Sequence, residues 1–192
     1  KGIPRVIDPV GISGSTFRRE ALHRMLSELQ PTAIRGNYSE IHALLAGTDT
    51  GTGVDAVVDA AHPALSRDAL AHGMQNYLRT LAFPMILVAS GREDIVASRD
   101  ALCFVKNGSP RMSRVTGTGC MATELLAAFL AVASGEAVFH AAVVATAFMG
   151  IAGEIAEKTA PRGSGSYHIA LIDALSTITA EDIVGRITLE DA

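Results

Sequence analysis

The chain has 192 residues, 48% of them hydrophobic, and a net charge of −4 from 16 basic and 20 acidic side chains. Nucleic-acid binding proteins need a basic face or a platform of aromatic rings. A negative chain with 5% aromatic residues and no tryptophan has neither, so we expect no nucleic-acid partner.

The chain also lacks the signals of a membrane or secreted protein. Its most apolar segment, residues 137–155, is interrupted by a histidine and a glycine and flanked by glutamates, which predicts a buried helix rather than a membrane span. We expect no signal peptide. Cys103 and Cys120 lack metal-ligand spacing and suit free thiols in a reducing compartment, so we expect a cytoplasmic protein. The chain begins at Lys1 inside what reads as a fold, so we expect further residues before it in the natural protein.

In chain order, the first half predicts strands that alternate with helices. A β-branched run over residues 4–8 predicts a strand that ends at Asp8. Apolar spacing predicts a helix over residues 16–30, capped by Ser15 or Thr16, then a strand over 32–35 and a helix over 38–46 after Asn37. Residues 47–54 predict a loop, 63–81 a helix and 85–89 a buried strand.

The second half predicts an antiparallel pair followed by helices. The pair covers residues 95–97 and 101–105, and residues 112–115 could extend it. A glycine-rich turn then opens a long helix to Ala133, and further helices are predicted over 137–157 and 166–178, with a last turn at 181–184 before residues 187–189.

Alternating strands and helices predict an α/β domain with a mostly parallel sheet. Ligands of such sheets bind beyond the carboxyl ends of the strands. Asp8, Asn37, Ser90 and Gly117 each follow a predicted strand. We therefore expect these four sites at one edge of the sheet.

The most informative motif is Gly117-Thr118-Gly119-Cys120 at a predicted helix start. Its glycines permit a tight turn whose backbone amides, together with the helix dipole, attract an anion. The alternative is an ordinary glycine loop before a helix. The motif is neither a Rossmann fingerprint, because a third glycine is missing, nor a Walker loop, because no Lys-Ser/Thr pair follows.

A second motif, Asn37-x-x-Glu40, follows the predicted strand 32–35. Its amide and carboxylate suit a hydrated Mg²⁺, which keeps several waters and uses one or two carboxylates. Arg35 carries planar donors that suit phosphate. The alternatives are a plain capping box for the motif and a surface ion pair for Arg35.

Taken together, the two motifs resemble those of the ribokinase superfamily. In most of its members the last motif position is Asp, the catalytic base, whereas this chain has Cys120. That cysteine, combined with the runs at residues 8–11 and 33–41, resembles the hydroxyethylthiazole kinase family in particular. The resemblance covers nearly the whole chain and implies one kinase domain over residues 1–192, a three-layer α/β/α ribokinase-like fold whose N-terminal portion is absent from this chain.

The resemblance also implies roles for single residues. Cys120 matches the residue beside the substrate hydroxyl, as catalytic base or orienting group, and Gly117 matches a substrate-binding glycine. The other matches are Arg35, Asn37 and Ser90 for ATP, Asp8 and Glu40 for the metal, and Gly117, Thr118, Gly119 and Cys120 for the anion hole. The implied reaction is phosphorylation of a hydroxyethylthiazole alcohol by ATP with Mg²⁺, in thiamine biosynthesis or salvage, by a homotrimer.

Two other functions stay open at this point. One is a pyridoxal or hydroxymethylpyrimidine kinase of the same fold; Cys120 in place of Asp argues against the usual sugar kinases. The other is a non-catalytic nucleotide-binding module. Cys120 itself could be no more than a small buried residue at a helix start, and Cys103, in an apolar run, is expected to be a core thiol.

Overall fold

The computed structural model describes residues 2–47, 66–160 and 162–191, so part of the predicted loop 47–54 and the start of the predicted helix 63–81 lie outside the described residues. The chain divides into two compact units. Unit 1 lies within Lys1–Gly91 and Ile95–Leu102, and unit 2 within Arg92–Asp94 and Cys103–Ala192. A single kinase domain over residues 1–192 stays a prediction.

Unit 1 holds a sheet in the order β1-β2-β3-β4. Its elements are β1 (Val6–Ile7), α1 (Thr16–Leu29), β2 (Ala33–Asn37), α2 (Tyr38–Ala46), α3 (Arg67–Thr80), β3 (Ile86–Ser90) and β4 (Asp94–Ala97). Strands β1, β2 and β3 are parallel. Strand β4 pairs antiparallel with β3 because the connection between them is too short for a crossover. The α/β class is confirmed, with a mixed sheet.

Local signals set the ends of the first helices. Ser15 caps α1, its hydroxyl accepting from the Arg18 amide at 3.3 Å, and Gln30 ends the helix in the left-handed region at φ 46°. The core of unit 1 lies where α2 packs on β2 and α3 on β3. Ile34, Ile41 and Met74 are fully excluded from solvent there, which is the apolar burial that stabilises the layers.

Unit 2 consists mainly of helices. Its elements are β5 (Leu102–Val105), a 3₁₀ turn (Met112–Arg114), α4 (Thr118–Ala131), α5 (Ala137–Thr159), α6 (Ser164–Thr177), α7 (Ala180–Arg186) and β6 (Leu189–Asp191). Strand β5 pairs antiparallel with β6. The prediction that residues 112–115 extend the antiparallel pair is wrong. The Val115 amide bonds the Met112 carbonyl at 3.1 Å, which closes a turn whose side chains pack against a core cluster around Tyr167.

Helix α5 is the long apolar segment of the sequence. Among the described residues it alone is long and apolar enough to cross a membrane, but half of its apolar window is buried inside the protein. It packs against α4, α6 and α7. These contacts make α5 the central helix of unit 2, as its alanine-rich pattern predicts.

Candidate functional site

The start of α2 is a closed capping box. The Asn37 side-chain oxygen accepts from the Glu40 amide at 2.9 Å, and Glu40 Oε2 accepts from the Asn37 amide at 3.0 Å. Both residues therefore satisfy backbone donors that a helix start otherwise leaves without intrahelical partners. The capping box that the sequence offers as the alternative for this motif is therefore present. A metal-binding role for Glu40 stays a prediction.

Glu40 also reaches the loop that follows Asp8. Its Oε1 accepts from the Gly11 amide at 3.0 Å. A Cβ at Gly36 would lie 3.1 Å from both the Glu40 Cβ and the Pro9 ring, so this close approach favours glycine. One carboxylate thus joins the loop after β1 to the start of α2.

The predicted metal ligands of unit 1 are the carboxylates of Asp8 and Glu40. Asp8 is half-buried three residues before Gly11. In the part of the chain that the structure describes, no group of three or more His, Cys, Asp or Glu side chains could hold a metal ion by itself. Mg²⁺ keeps several waters and needs one or two carboxylates, and each Glu40 oxygen has a second lone pair beyond its backbone bond. The carboxylates of Asp8 and Glu40 have the donor chemistry of a hydrated Mg²⁺ site, and their binding of one common ion stays a prediction.

Two predicted ATP ligands contact each other on neighbouring strands. Arg35 Nη2 donates to Ser90 Oγ at 2.7 Å, and Asn37 lies opposite Ser90 in the β2–β3 register. Because side chains alternate along a strand, Arg35 and Asn37 share one face. Ser90 therefore orients a guanidinium at the carboxyl end of the sheet, where a phosphate ligand is expected.

The start of α4 differs from that of α2. Gly117 caps it in the left-handed region, at φ 95°, with no side-chain hydrogen bond. A Cβ at Gly117 would meet only the Met121 methyl group, at 3.9 Å, so the backbone conformation rather than crowding requires glycine. Gly117 brings no capping side chain to this helix start, and the dipole of α4 favours an anion there.

Thr118 contributes its amide to this turn but not a free hydroxyl. Its Oγ1 donates to the carbonyl oxygens of Met112 and Val115, at 3.3 Å each. The hydroxyl therefore fixes the start of α4 to the 3₁₀ turn. The Thr118 side chain therefore has a structural role, and an anion hole formed by the backbone of Gly117 to Cys120 stays a prediction.

The two cysteines lie in different environments. Cys120 is exposed in the first turn of α4, and Cys103 is buried in β5. Burial, reinforced by the charge of Asp191, raises the pKa of the Cys103 thiol. Cys103 is the core thiol that the sequence predicts, whereas the alternative of a buried structural residue is wrong for Cys120.

Residues 106–117, here named the strap, lead from β5 to the cap of α4, and among them only Gly117 has a functional role predicted from the sequence. Asn107 and Ser109 in the strap are buried, and the strap lies against Gly150 and Gly153 of α5. Two glycines inside a long apolar helix are the sequence signal for such a close backbone approach.

The structure thus groups the predicted residues within each unit. In unit 1, Arg35 contacts Ser90 and Asn37 contacts Glu40, while Glu40 bonds the loop that begins at Asp8. In unit 2, Gly117 to Cys120 form one continuous turn.

Comparisons with known proteins give one consistent result. The sequence model of the hydroxyethylthiazole kinase family matches residues 1–181. Hydroxyethylthiazole kinases of Clostridium beijerinckii and Chloroflexus aurantiacus are 38% and 39% identical over 182 residues, covering 94% and 95% of this chain and 64% and 63% of theirs. The solved hydroxyethylthiazole kinase of Pyrococcus horikoshii OT3 superimposes with a TM-score of 0.78 at 29% identity, over 98% of this chain and 65% of that one. This chain spans less than two thirds of the length of these relatives.

Proposed function

This chain belongs to the hydroxyethylthiazole kinase family, and we propose that it transfers the γ-phosphoryl group of ATP to the hydroxyl of a hydroxyethylthiazole, in thiamine biosynthesis or salvage. The ribokinase-like fold of its structural neighbour supports this. The observation that carries the proposal is the start of α4, where left-handed Gly117 provides no side-chain cap and exposed Cys120 follows in the first turn.

The turn from Gly117 to Cys120 stabilises the transferring phosphoryl group. Phosphoryl transfer depends on positioning and on charge stabilisation rather than on covalent help. The backbone amides of the turn donate to the phosphoryl oxygens, and the α4 dipole adds to that stabilisation. Because these donors are fixed by the helix, they need no rearrangement as negative charge develops.

Cys120 acts on the alcohol. In its thiolate form the sulfur accepts the hydroxyl proton while the alcohol oxygen bonds to the γ-phosphorus and the bond to the ADP oxygen breaks. Its exposed position in the first turn of α4 leaves Cys120 accessible to a substrate. The alternative role is that Cys120 orients the substrate hydroxyl without accepting its proton.

Unit 1 binds the nucleotide phosphates. Arg35, oriented by Ser90, donates to a phosphate oxygen, and Asn37 lies at the adjacent strand end. Asp8 and Glu40 would hold a hydrated Mg²⁺, which supplies neutralisation of triphosphate charge when bound. The partners are therefore ATP and a thiazole alcohol. We further propose a cytoplasmic homotrimer, without nucleic-acid or membrane partners, in keeping with the family resemblance.

A phosphorylation assay with a panel of thiazole, hydroxymethylpyrimidine, pyridoxal and ribose alcohols tests the substrate. We expect turnover with the thiazole alcohol and much weaker turnover with the others. Faster turnover with a pyrimidine or with pyridoxal would contradict the proposed thiazole substrate but support the proposed kinase activity. Calorimetry that detects Mg-ATP binding, without turnover on any alcohol, would indicate a non-catalytic nucleotide-binding module.

A further inference from the structure

The strap has little regular structure of its own, so its position depends on its contacts with α5. It contains only the short 3₁₀ turn Met112–Arg114, yet it ends at Gly117, the cap of α4. A displacement of the strap would therefore be transmitted to the anion-binding turn.

The base of the strap is held by a shared carboxylate oxygen. Glu154 Oε1 accepts from Asn107 Nδ2 at 3.0 Å and from the Gly108 amide at 2.9 Å. Asn107 Nδ2 also donates to the Arg186 carbonyl at 2.9 Å, and its Oδ1 accepts from the Thr188 amide at 2.8 Å. Glu154 thus anchors a buried asparagine whose side-chain nitrogen and oxygen both have hydrogen-bond partners, and such networks give one defined geometry.

The same face of α5 receives the backbone of the strap. Gly150, Gly153 and Glu154 share this face because they are three and four residues apart. A Cβ at Gly150 would lie 2.5 Å from the Asn107 carbonyl oxygen, and one at Gly153 would lie 2.5 Å from the Met112 sulfur. The glycines provide space for the strap, and Glu154 provides the polar contact that holds it in that space.

The far end of the strap is joined to α4. The Thr118 hydroxyl bonds the Met112 and Val115 carbonyls, and Val115 packs in the core cluster with Met149 and Ala152 of α5. A continuous set of contacts therefore runs from Glu154 through the strap to the first residue of α4.

We infer that Glu154 is a positioning residue for the anion-binding turn, acting through the strap rather than on the substrate. The inference rests on the proposed kinase function for its catalytic consequence, but the geometric part is independent of it. A remote change that displaces a catalytic group by about 1 Å can lower turnover on the order of 10²-fold.

The test compares Glu154→Ala and Glu154→Gln with the parent protein. Glutamine keeps an acceptor oxygen, and alanine removes it. We expect Glu154→Ala to lower kcat by about 10- to 100-fold with little change in the KM for ATP, and Glu154→Gln to restore most of it. The matched control is Glu157→Ala, an exposed glutamate on the same helix, which should behave like the parent.

A second readout needs no kinase activity. The rate at which iodoacetamide alkylates Cys120, followed by peptide mass spectrometry, reports the geometry of the turn directly. We expect this rate to change at least about threefold in Glu154→Ala and to stay at the parent value in Glu154→Gln and Glu157→Ala, because a first-turn thiol responds to the amides and dipole around it.

The outcomes separate the two proposals. An altered alkylation rate in Glu154→Ala without kinase activity in the parent supports the positioning role and contradicts the proposed function. A lower melting temperature with unchanged kcat and alkylation overturns the positioning role. If Glu154→Ala does not fold, Glu154→Asp moves the carboxylate by one carbon–carbon bond, about 1.5 Å. It should give an intermediate loss of kcat, and parent behaviour in that variant would also overturn the inference.

Discussion

The first backbone N–H groups of a helix have no intrahelical partner, and the starts of α2 and α4 differ in whether a side chain caps them. At α2 the side chains of Asn37 and Glu40 occupy the backbone donors. At α4 the cap is Gly117, which has no side chain to offer. The sequence predicts a magnesium site for the first motif and an anion site for the second. The comparison shows that a side-chain cap distinguishes the two helix starts, because α2 has one and α4, which begins after Gly117, has none.

The largest effect tests the chemistry at α4. Cys120→Ala should lower kcat by roughly 10²- to 10⁴-fold, the range for a lost general base, whereas Cys120→Asp should keep activity because a carboxylate can accept the same proton. Turnover is measured with ATP and the thiazole alcohol, with Cys103→Ala as the second-thiol control. Full activity in Cys120→Ala would leave only the amides of the turn in the mechanism.

A smaller effect tests the closed cap at α2. Glu40→Ala leaves the Gly11 and Asn37 amides without their acceptor, so the free energy of unfolding should fall by about 1–3 kcal/mol, and Mg-ATP binding should weaken. Urea denaturation and calorimetry measure the two effects, and Glu20→Ala on α1 is the control. Unchanged Mg-ATP affinity would remove Glu40 from the proposed metal ligands. An unchanged free energy of unfolding would show that the Glu40 carboxylate does not stabilise the start of α2.

The smallest effect is expected within α2 but away from its cap. His42 Nε2 is buried and has no hydrogen-bond partner among the described residues, which is unfavourable for a polar atom. His42→Leu should leave the free energy of unfolding unchanged or raise it by up to ~1 kcal/mol. Denaturation in urea checks this, and Mg-ATP affinity should match the parent. A clear loss of stability would mean that the imidazole has a partner.

Structural features that depend on residues close together in the sequence could be predicted. The helix over residues 38–46 agrees with α2 at both ends, because its cap and its apolar spacing are local. The start of α4 after the glycine-rich turn also follows from a short motif, whereas the sequence left open whether Cys120 is exposed or buried. The conformation of residues 112–115 could not be predicted, because it depends on packing against α5. A short apolar run does not by itself distinguish a strand from a turn.

The anchors of the strap could not be predicted, because their partners are far away in sequence. Asn107 bonds residues 47, 79 and 81 positions later, and no local pattern indicates such pairs. The same limit applies to Ser90, whose contact with Arg35 spans 55 positions. The sequence predicts Ser90 and Arg35 as two separate ATP ligands. In the structure the Ser90 hydroxyl accepts a hydrogen bond from the Arg35 guanidinium and so orients it.

Gly150 and Gly153 have a consequence for engineering thermostability. Replacing a mid-helix glycine by alanine is a standard way to strengthen a helix, by roughly 1 kcal/mol per position. In α5 the added methyl group would instead collide with the Asn107 carbonyl oxygen or the Met112 sulfur. A screen for heat resistance should therefore avoid these two positions, since a stiffer helix would come at the expense of an aligned turn.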